Sequence, residues 1–253
     1  MGFREDQIRR YSRHLLLKEV GGTGQRRLLD ASVLVVGAGG LGCPAALYLA
    51  AAGVGTVALA DPDAVELSNL QRQVLYGPDD VGKPKVEAAA AVLRRLNPDV
   101  RIETFPIALG AGNAAALLRG RTLVLEGTDS PGTKFLVNDL CVAAGIPLVI
   151  GGVVRWNGQV AVVAGGSGCY RCLFESPPEE GTFETCEGEG VLGPAAGAVG
   201  TLMAVEGCKR LLGLDSAAPG RLQVLDLLAG TTRQVRWTPR PGCAACAAAP
   251  GHR

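Results

Sequence analysis

A glycine-rich segment in the first fifth of the chain has the spacing of a phosphate-binding loop. Gly37, Gly39 and Gly42 fit the pattern G-x-G-x-x-G, and Gly40 adds a further glycine. Glycines let the backbone turn tightly and approach a phosphate, and free amides at the start of the following helix favour anions. Asp61, 19 residues beyond Gly42, can accept hydrogen bonds from ribose hydroxyls. The pattern indicates nucleotide binding without selecting the nucleotide, and the alternative is a turn that binds nothing.

Charged residues further along the chain favour a triphosphate over NAD. Arg72 and Lys85 can supply cations, and Asp129 follows a predicted strand end, where it can hold a metal. A triphosphate carries about four negative charges and needs cations to hold it. Oxygen ligands suit Mg²⁺. Each residue alone is typical of a solvated surface, but their shared place at the ends of neighbouring strands favours a functional role.

Two C-x-x-C pairs among the eight cysteines indicate a metal site. They are Cys169 with Cys172 and Cys243 with Cys246. In a cytosolic chain, two such pairs predict one structural Cys₄ zinc site, because thiolates suit Zn²⁺ and four protein ligands leave no open position. The alternatives are a redox C-x-x-C site, which uses one pair, and two disulfides, which a reducing cytosol disfavours.

Cys186 stands outside these pairs, in a polar and glycine-rich segment that we expect to form an exposed loop. Free cysteines are usually buried, so an unpaired thiol in such a loop is a candidate nucleophile. The two flanking glutamates do not favour a thiolate, and both interpretations stay open. The remaining cysteines lie in apolar helical patterns and are expected in the core: Cys43, Cys141 and Cys208.

Apolar strands alternate with helical patterns, which predicts a Rossmann-like α/β fold with a mostly parallel sheet and helices on both faces. The expected strands are 32–36, 57–60, 101–107, 123–125, 147–150 and 159–164, followed by an antiparallel hairpin of 222–227 and 232–237. The expected helices are 41–52, 85–96, 133–144 and 198–212.

The organisation along the chain predicts one domain over residues 1–253, because no linker is long enough to force a second one. We expect a helical arm over 1–30 and a nucleotide-binding core over 31–165. A region with the zinc site, a crossover loop and C-terminal strands follows over 166–253.

Composition narrows the function classes. The 253 residues carry a net charge of +1 and have a pI of about 7.5, which argues against nucleic-acid binding through a basic face and against a polybasic membrane anchor. No apolar run approaches the roughly 20 residues of a membrane helix. The charged N-terminus is unlike a signal peptide. These features predict a cytoplasmic protein without a membrane or nucleic-acid partner.

Taken together and in order, these motifs resemble the MoeB/ThiF group of ubiquitin-activating-enzyme-like adenylyltransferases. The most specific block is DPDAVELSNLQRQ at 61–73. Other matching segments, spread over nearly the whole chain, are RYSRH at 10–14, VGAGGLG at 36–42, GKPKVE at 82–87, GTD at 127–129, CYRCLF at 169–174 and PGCAAC at 241–246.

The resemblance implies an enzyme that binds Mg-ATP and the C-terminal tail of a small ubiquitin-like sulfur-carrier protein ending in Gly-Gly. The tail carboxylate attacks the α-phosphate and gives an acyl-adenylate and pyrophosphate. A sulfur donor later converts the activated end to a thiocarboxylate. Carriers for molybdopterin, thiazole or thio-tRNA synthesis fit equally.

The resemblance also implies roles for individual residues. Gly40 meets the phosphates, Asp61 holds the ribose and Asp129 coordinates Mg²⁺, while Asn69, Arg72 and Lys85 contact the triphosphate. The whole expected nucleotide site is Gly37, Gly39, Gly40, Gly42, Asp61, Ser68, Asn69, Leu70, Gln71, Arg72, Gln73, Lys85, Asp129 and Ser130.

Other implied features concern partners. Arg13 resembles the arginine finger that reaches in from the other subunit, so a homodimer is implied. Cys186 aligns with a cysteine that joins the carrier through an acyl-persulfide in thiazole-type members, and its necessity in molybdopterin-type members is open. Ser130 departs from the usual Asn of the family. No rhodanese-like domain follows residue 253, so we expect a separate sulfur donor, a cysteine desulfurase or a rhodanese.

Three other functions compete with this one. A tRNA threonylcarbamoyladenosine dehydratase has the same fold but is not expected to carry the paired cysteines in this layout. A binding scaffold without ATP chemistry would have no need of Arg13, Arg72, Lys85 and Asp129. An NAD oxidoreductase would need a hydride-site acid or base, and His14 and His252 lie at the two ends of the chain.

Overall fold

The structure, a computed structural model, describes residues 2–179, 186–214 and 219–247. Eight strands lie in these ranges: β1 Ser32–Val36, β2 Thr56–Ala60, β3 Arg101–Phe105, β4 Leu123–Glu126, β5 Leu148–Val154, β6 Asn157–Val163, β7 Arg221–Asp226 and β8 Thr231–Arg236. Ten α-helices lie in the same ranges: α1 Glu5–Arg10, α2 Ser12–Leu15, α3 Gly21–Asp30, α4 Gly42–Ala51, α5 Lys85–Leu96, α6 Ala114–Leu118, α7 Pro131–Ala144, α8 Tyr170–Leu173, α9 Cys186–Glu189 and α10 Gly193–Leu212.

The strands form one sheet in the order β3-β2-β1-β4-β5-β6-β7-β8. The pairs from β3 to β5 are parallel, and the pairs from β5 to β8 are antiparallel. The predicted α/β class, with a mostly parallel sheet and C-terminal antiparallel strands, is confirmed. None of the described helices is long and apolar enough to cross a membrane.

Several elements differ from the sequence prediction in their bounds or were not predicted, and three of these differences are informative. Helix α10 begins at Gly193 and not at residue 198, because Pro194 is accepted in a first helical turn, where its missing N–H loses no bond. Strand β5 continues through Gly151 and Gly152 to Val154, since its pairing with β6 holds these glycines in the ladder. Helix α6 was not predicted, and it covers the sheet with short apolar side chains.

Both faces of the parallel part of the sheet are covered, so the alternating side chains of its strands are buried on either side. Val33 and Val35 of β1 belong to a core that includes side chains of α4, α5 and α10. Leu34 and Val36 face the opposite side, where they belong to a core with α7 and part of the cysteine cluster. A parallel sheet is buried in this way on both faces, and its functional groups collect at its edges and strand ends.

The strand order reverses at β1, which pairs with β2 on one side and with β4 on the other. In open α/β sheets a crevice forms at such a point, outside the carboxyl ends of the strands. The loops that start at Gly37 after β1 and at Gly127 after β4 therefore border the same crevice.

A substitution at Gly55 tests how closely strand β2 packs against helix α3 of the N-terminal arm. An added Cβ at Gly55, just before β2, would lie 1.9 Å from the carbonyl oxygen of Leu29 in α3. We expect Gly55→Ala to lower the free energy of unfolding by about 1–3 kcal/mol, the usual cost of overpacking. Urea denaturation followed by circular dichroism measures it.

The matched control is Gly197→Ala in α10, where an added Cβ meets no described atom within 4 Å. This change removes a helical glycine and should leave stability unchanged or raise it by about 0.5–1 kcal/mol. Equal stability of Gly55→Ala and the wild type would contradict the close α3–β2 contact.

Candidate active site

A cleft of about 1070 Å³ opens at the carboxyl ends of β1, β2 and β4. Most of the residues predicted to hold a nucleotide line it: Gly37, Gly39, Gly40, Asp61, Asn69, Arg72, Gln73, Lys85, Asp129 and Ser130. The topology thus brings together segments that are up to 93 positions apart in the sequence, from Gly37 to Ser130.

The glycine loop turns sharply after β1. Gly37 has φ +89°, a left-handed conformation that favours glycine. An added Cβ at Gly42 would lie 1.8 Å from the Gly37 carbonyl oxygen, so the start of α4 packs directly on the turn. Gly42 serves this packing and lies outside the cleft lining, whereas Gly39 and Gly40 are part of it.

Asp61 at the end of β2 is buried and bound to the glycine loop. Its Oδ2 accepts a hydrogen bond from the Ala38 amide at 2.7 Å, and its Oδ1 accepts one from the Asp63 amide at 2.9 Å. Burial raises the pKa of the Asp61 carboxyl, and the two amide donors oppose that shift. The carboxylate therefore couples the loop to β2 while one side of the residue faces the cleft.

The Asn69 side chain organises the segment after β2. Its Oδ1 accepts hydrogen bonds from Arg72 Nη2 at 3.0 Å and from Gln73 Nε2 at 2.9 Å. The Ser68 carbonyl accepts another from Arg72 at 3.2 Å. Gln73 Oε1 is buried without a partner among the described residues, which leaves one acceptor unsatisfied beside the cleft. Besides Gly42, three residues of the predicted nucleotide site do not line the cleft and belong to the segment beside it: Ser68, Leu70 and Gln71.

Two of the predicted cations, Lys85 and Arg72, line the cleft, and they differ in whether an acid pairs with them. Lys85, the first residue of α5, has a side chain only 7% exposed, and its Nζ lies 2.7 Å from Asp63 Oδ2. Arg72 is held by neutral oxygens, and no carboxylate of the described chain lies within ion-pair distance of it. The Arg72 charge is therefore available to an anionic ligand, and Lys85 shares its charge with an acid.

Asp129 presents a carboxylate on the cleft wall. It directly precedes Ser130, whose Oγ accepts a hydrogen bond from the Thr133 amide at 3.2 Å and caps α7. Within the described ranges its exposed side chain makes no hydrogen bond and no ion pair. A free carboxylate beside a cationic cleft has the donor chemistry that Mg²⁺ prefers, so the residues fit this metal.

Lys134 also lines the cleft, and sequence reasoning missed it. Its Nζ lies 2.6 Å from Oε2 of Glu126, the last residue of β4, and both side chains are almost fully buried. A single charged residue in the first half of α7 was the available signal. The helical sequence pattern of α7 is equally compatible with a solvent-exposed lysine at position 134. Only the packing in the structure shows that the Lys134 side chain is buried.

Aromatic side chains form a second part of the cleft that the sequence did not predict. The rings of Phe135 and Tyr170 lie 5.1 Å apart, and those of Tyr170 and Phe174 lie 5.0 Å apart. Pro177 and Pro178 continue this apolar wall. Such a wall suits a slender chain better than a phosphate, because its rings and prolines are apolar and the adjoining Glu175 and Glu179, which also line the cleft, are acidic.

The four paired cysteines meet at one point, as predicted. Their sulfur atoms all lie within 4.8 Å of one another, with Cys169 Sγ 3.6 Å from Cys243 Sγ and Cys172 Sγ 3.5 Å from Cys246 Sγ. A tetrahedral zinc with bonds of about 2.3 Å would place its sulfurs about 3.8 Å apart. The cluster fits a metal ion, and all four cysteines carry free thiols rather than disulfides.

Arg13 and Cys186 are the two remaining predicted residues. Arg13 in α2 is exposed and outside the cleft lining of its own chain. The arm that carries it is anchored by Tyr11, whose buried hydroxyl accepts a hydrogen bond from Asn97 Nδ2 at 2.9 Å. The backbone of Cys186 begins the short helix α9, and its side chain lies outside the described part of the structure.

The chain is similar to several known proteins. The sequence matches the ThiF family over residues 11–245. It is 46% identical over 240 residues to the SAMP-activating enzyme E1 of Haloferax volcanii, covering 95% of this chain and 89% of that protein. It is 44% identical over 259 residues to the sulfur carrier protein adenylyltransferase of Thermus thermophilus, covering 100% of this chain and 96% of that protein.

The fold has solved counterparts as well. The crystal structure of E. coli MccB with ATP has a TM-score of 0.81 at 24% identity, covering 94% of this chain and 74% of that one. At this identity the likeness concerns the fold alone. Since the family match takes in the arm from Tyr11, every cleft segment and three of the four clustered cysteines, this protein belongs to the ThiF family.

Proposed function

We propose that this protein is an ATP-dependent adenylyltransferase that activates the C-terminal Gly-Gly carboxylate of a small ubiquitin-like sulfur-carrier protein as acyl-AMP. The observation that carries the proposal is the convergence of a glycine loop, a buried acid, two cations and a free carboxylate in one cleft. The names of the two relatives, a SAMP-activating enzyme and a sulfur carrier protein adenylyltransferase, support it.

In the proposed complex, the polar half of the cleft holds ATP. Gly39 and Gly40 face the phosphates, because a glycine wall lets them approach the backbone. Asp61 accepts hydrogen bonds from the ribose, as acids at the end of the second strand do in this fold. Asn69 orients Arg72, and Arg72 and Lys85 offset part of the charge of the triphosphate.

Mg²⁺ would be held by Asp129, with Ser130 and the start of α7 beside it. When bound, the ion neutralises phosphate charge and orients the leaving pyrophosphate. The chain contributes the free carboxylate of Asp129, and Ser130 Oγ keeps α7 capped so that its first turn stays in place.

The carrier tail would enter along the aromatic half of the cleft. Two glycines have no side chains, so they pass between the rings of Tyr170 and Phe174 and the opposite wall without steric conflict. The terminal carboxylate oxygen then forms a bond to the α-phosphorus, and the bond to the β-phosphate oxygen breaks to release pyrophosphate. Two anions must meet in this step, so charge neutralisation and alignment are the principal contributions of the protein.

The remaining parts of the proposal concern the assembly. Zn²⁺ occupies the cysteine cluster as a closed structural site. The protein acts as a cytoplasmic homodimer in which Arg13 reaches the partner's cleft. A separate sulfur donor, a cysteine desulfurase or a rhodanese, completes thiocarboxylation, and Cys186 is the candidate for a covalent link to the carrier.

Asp129→Ala tests the metal role. We expect it to lower carrier-dependent ATP–pyrophosphate exchange by about 100-fold or more with the fold intact, because the developing charge loses its metal-holding carboxylate. Exchange is measured with radiolabelled pyrophosphate and a ubiquitin-like carrier ending in Gly-Gly. Asp79→Ala, an exposed acid outside the cleft, is the matched control and should leave exchange unchanged. Full exchange in Asp129→Ala would remove Asp129 from the site.

A mixing experiment tests whether Arg13 acts on the partner subunit. Arg13→Ala and Arg72→Ala chains should each be inactive. Their mixture should regain about one quarter of the wild-type exchange, because random pairing puts half of the chains in mixed dimers with one complete site each. A chain with both changes, mixed with Arg13→Ala, should regain nothing. Absence of recovery in confirmed mixed dimers would contradict action in trans.

Elemental analysis tests the cysteine cluster. The purified, reduced protein should contain one zinc per chain, and Cys243→Ser should lose most of it and unfold at a lower temperature, because a structural zinc site stabilises the fold. Cys208→Ser, a half-buried thiol in α10 outside the cluster, should keep its zinc. A wild-type protein without metal would overturn the zinc assignment.

A further inference from the structure

A buried ion pair lies under the loop that carries Asp129. Glu126, the last residue of β4, is completely buried, and the side chain of Lys134 in α7 is 9% exposed. Their Oε2 and Nζ atoms lie 2.6 Å apart. Sequestering two charges costs several kcal/mol each by order of magnitude, and an apolar pair of the same size would often be as stable. Stabilisation of the fold therefore does not by itself explain this ion pair.

All three N–H donors of the Lys134 ammonium group have acceptors within the protein. Besides Glu126, its Nζ donates to the carbonyl oxygens of Thr128 and Gly151, each at 2.6 Å. An ammonium has three N–H donors, so no donor is left for a phosphate. Although Lys134 borders the cleft, its geometry is that of a group that ties the loop to α7 and β5.

Glu126 completes the enclosure of Thr128. Its Oε1 accepts a hydrogen bond from the Thr128 amide at 2.9 Å and another from the Thr128 hydroxyl. The amide, carbonyl and hydroxyl of Thr128 are thus all bound by the two members of the ion pair. An added Cβ on Gly37 would lie only 3.0 Å from the Thr128 nitrogen, so the glycine loop closes the remaining side.

Asp129 is the next residue, and its own side chain has no partner within the described chain. Its position therefore depends on the backbone before it and on the capped helix after it. A metal ligand must be held within about 0.5 Å of its working position. The network around Thr128 is the part of the structure that can meet that requirement.

We propose that Glu126 and Lys134 are positioning residues that fix the backbone of Thr128 and thereby aim the Asp129 carboxylate at the divalent metal carried with ATP. This inference rests on the proposed function, since it concerns the metal at that same site. Neither residue contacts the nucleotide in this proposal.

The test replaces both charges at once, so that no unpaired charge remains in the core. Glu126→Leu with Lys134→Met keeps the volume and should fold. The probe is Mn²⁺ with a non-hydrolysable ATP analogue, and electron paramagnetic resonance measures free Mn²⁺. We expect the Mn²⁺ dissociation constant of the ternary complex to rise about 10-fold or more, the usual loss when a supporting partner of a metal ligand is removed. Binding of the analogue without divalent metal should change little.

The matched control removes a comparable pair outside the cleft. Glu206 is buried in α10, and its Oε1 lies 2.7 Å from Lys209 Nζ. Glu206→Leu with Lys209→Met should leave Mn²⁺ affinity unchanged. Lys134→Arg keeps the positive charge beside Glu126 and should retain much of the wild-type Mn²⁺ affinity. If Lys134 only filled space, the double variant with Met at this position would bind Mn²⁺ as tightly as Lys134→Arg.

A second variant covers the case in which the double replacement fails to fold. Thr128→Val removes only the hydroxyl bound to Glu126 and changes no charge. It should raise the Mn²⁺ dissociation constant about threefold, as the loss of one hydrogen bond does. If the double variant folds and its Mn²⁺ affinity is unchanged, the inference is overturned and the proposed function is not. If the double variant does not fold, an unchanged Mn²⁺ affinity of Thr128→Val has the same consequence. Failure of the wild type to bind the ATP analogue would overturn the proposed function and the inference with it.

Discussion

The cleft depends on the close approach of Gly37 to the backbone of Gly127 and Thr128. These residues directly follow the neighbouring strands β1 and β4, and a side chain on Gly37 would lie 3.0 Å from the Thr128 nitrogen and 3.1 Å from the Gly127 carbonyl carbon. The two loops can therefore meet only because position 37 is a glycine with positive φ. Their contact places the glycine loop and Asp129 on opposite sides of one opening. A substitution that separated the loops would divide the nucleotide site without removing any of its charged groups.

Charged groups around this opening fall into two classes. Lys85 is paired with Asp63, and Lys134 is paired with Glu126, in both cases at 2.7 Å or less. Arg72 and Asp129 have no partner of opposite charge among the described residues. Paired charges at low dielectric hold the segments that bear them, because breaking the pair leaves a buried charge. Unpaired charges at the cleft wall remain free to interact with a ligand, which is the distribution that a highly charged substrate requires.

Helix α7 connects the nucleotide end of the cleft to the cysteine cluster. At its start are Ser130 and Lys134, and about one turn after Lys134 the Asn138 Oδ1 accepts a hydrogen bond from the Tyr170 amide at 2.8 Å. Asp139 binds Arg171 with oxygens 2.7–3.0 Å from the guanidinium. Tyr170 and Arg171 lie between the two cysteines of the first pair, so a metal in the cluster would fix the aromatic wall relative to α7. The C-terminal pair would thereby contribute to a site from which it is distant in sequence.

Sequence analysis predicted the groups whose role can be recognised from the spacing of residues within a short segment. The glycine loop, the acid ending β2 and the C-x-x-C pairs each have a recognisable spacing, and most of the expected nucleotide residues do line one cleft. It missed the Glu126–Lys134 pair and the aromatic wall, because those contacts arise where separate elements pack.

The two lysine–acid pairs nevertheless share a sequence pattern. Lys85 is the first residue of α5 and binds Asp63 just after β2, while Lys134 lies in the first turn of α7 and binds Glu126 at the end of β4. In a parallel sheet, a strand end and the first turn of the next helix lie at the same edge. An acid at the former and a lysine at the latter are therefore candidates for an ion pair with a buried lysine, even when each alone has the features of a surface charge.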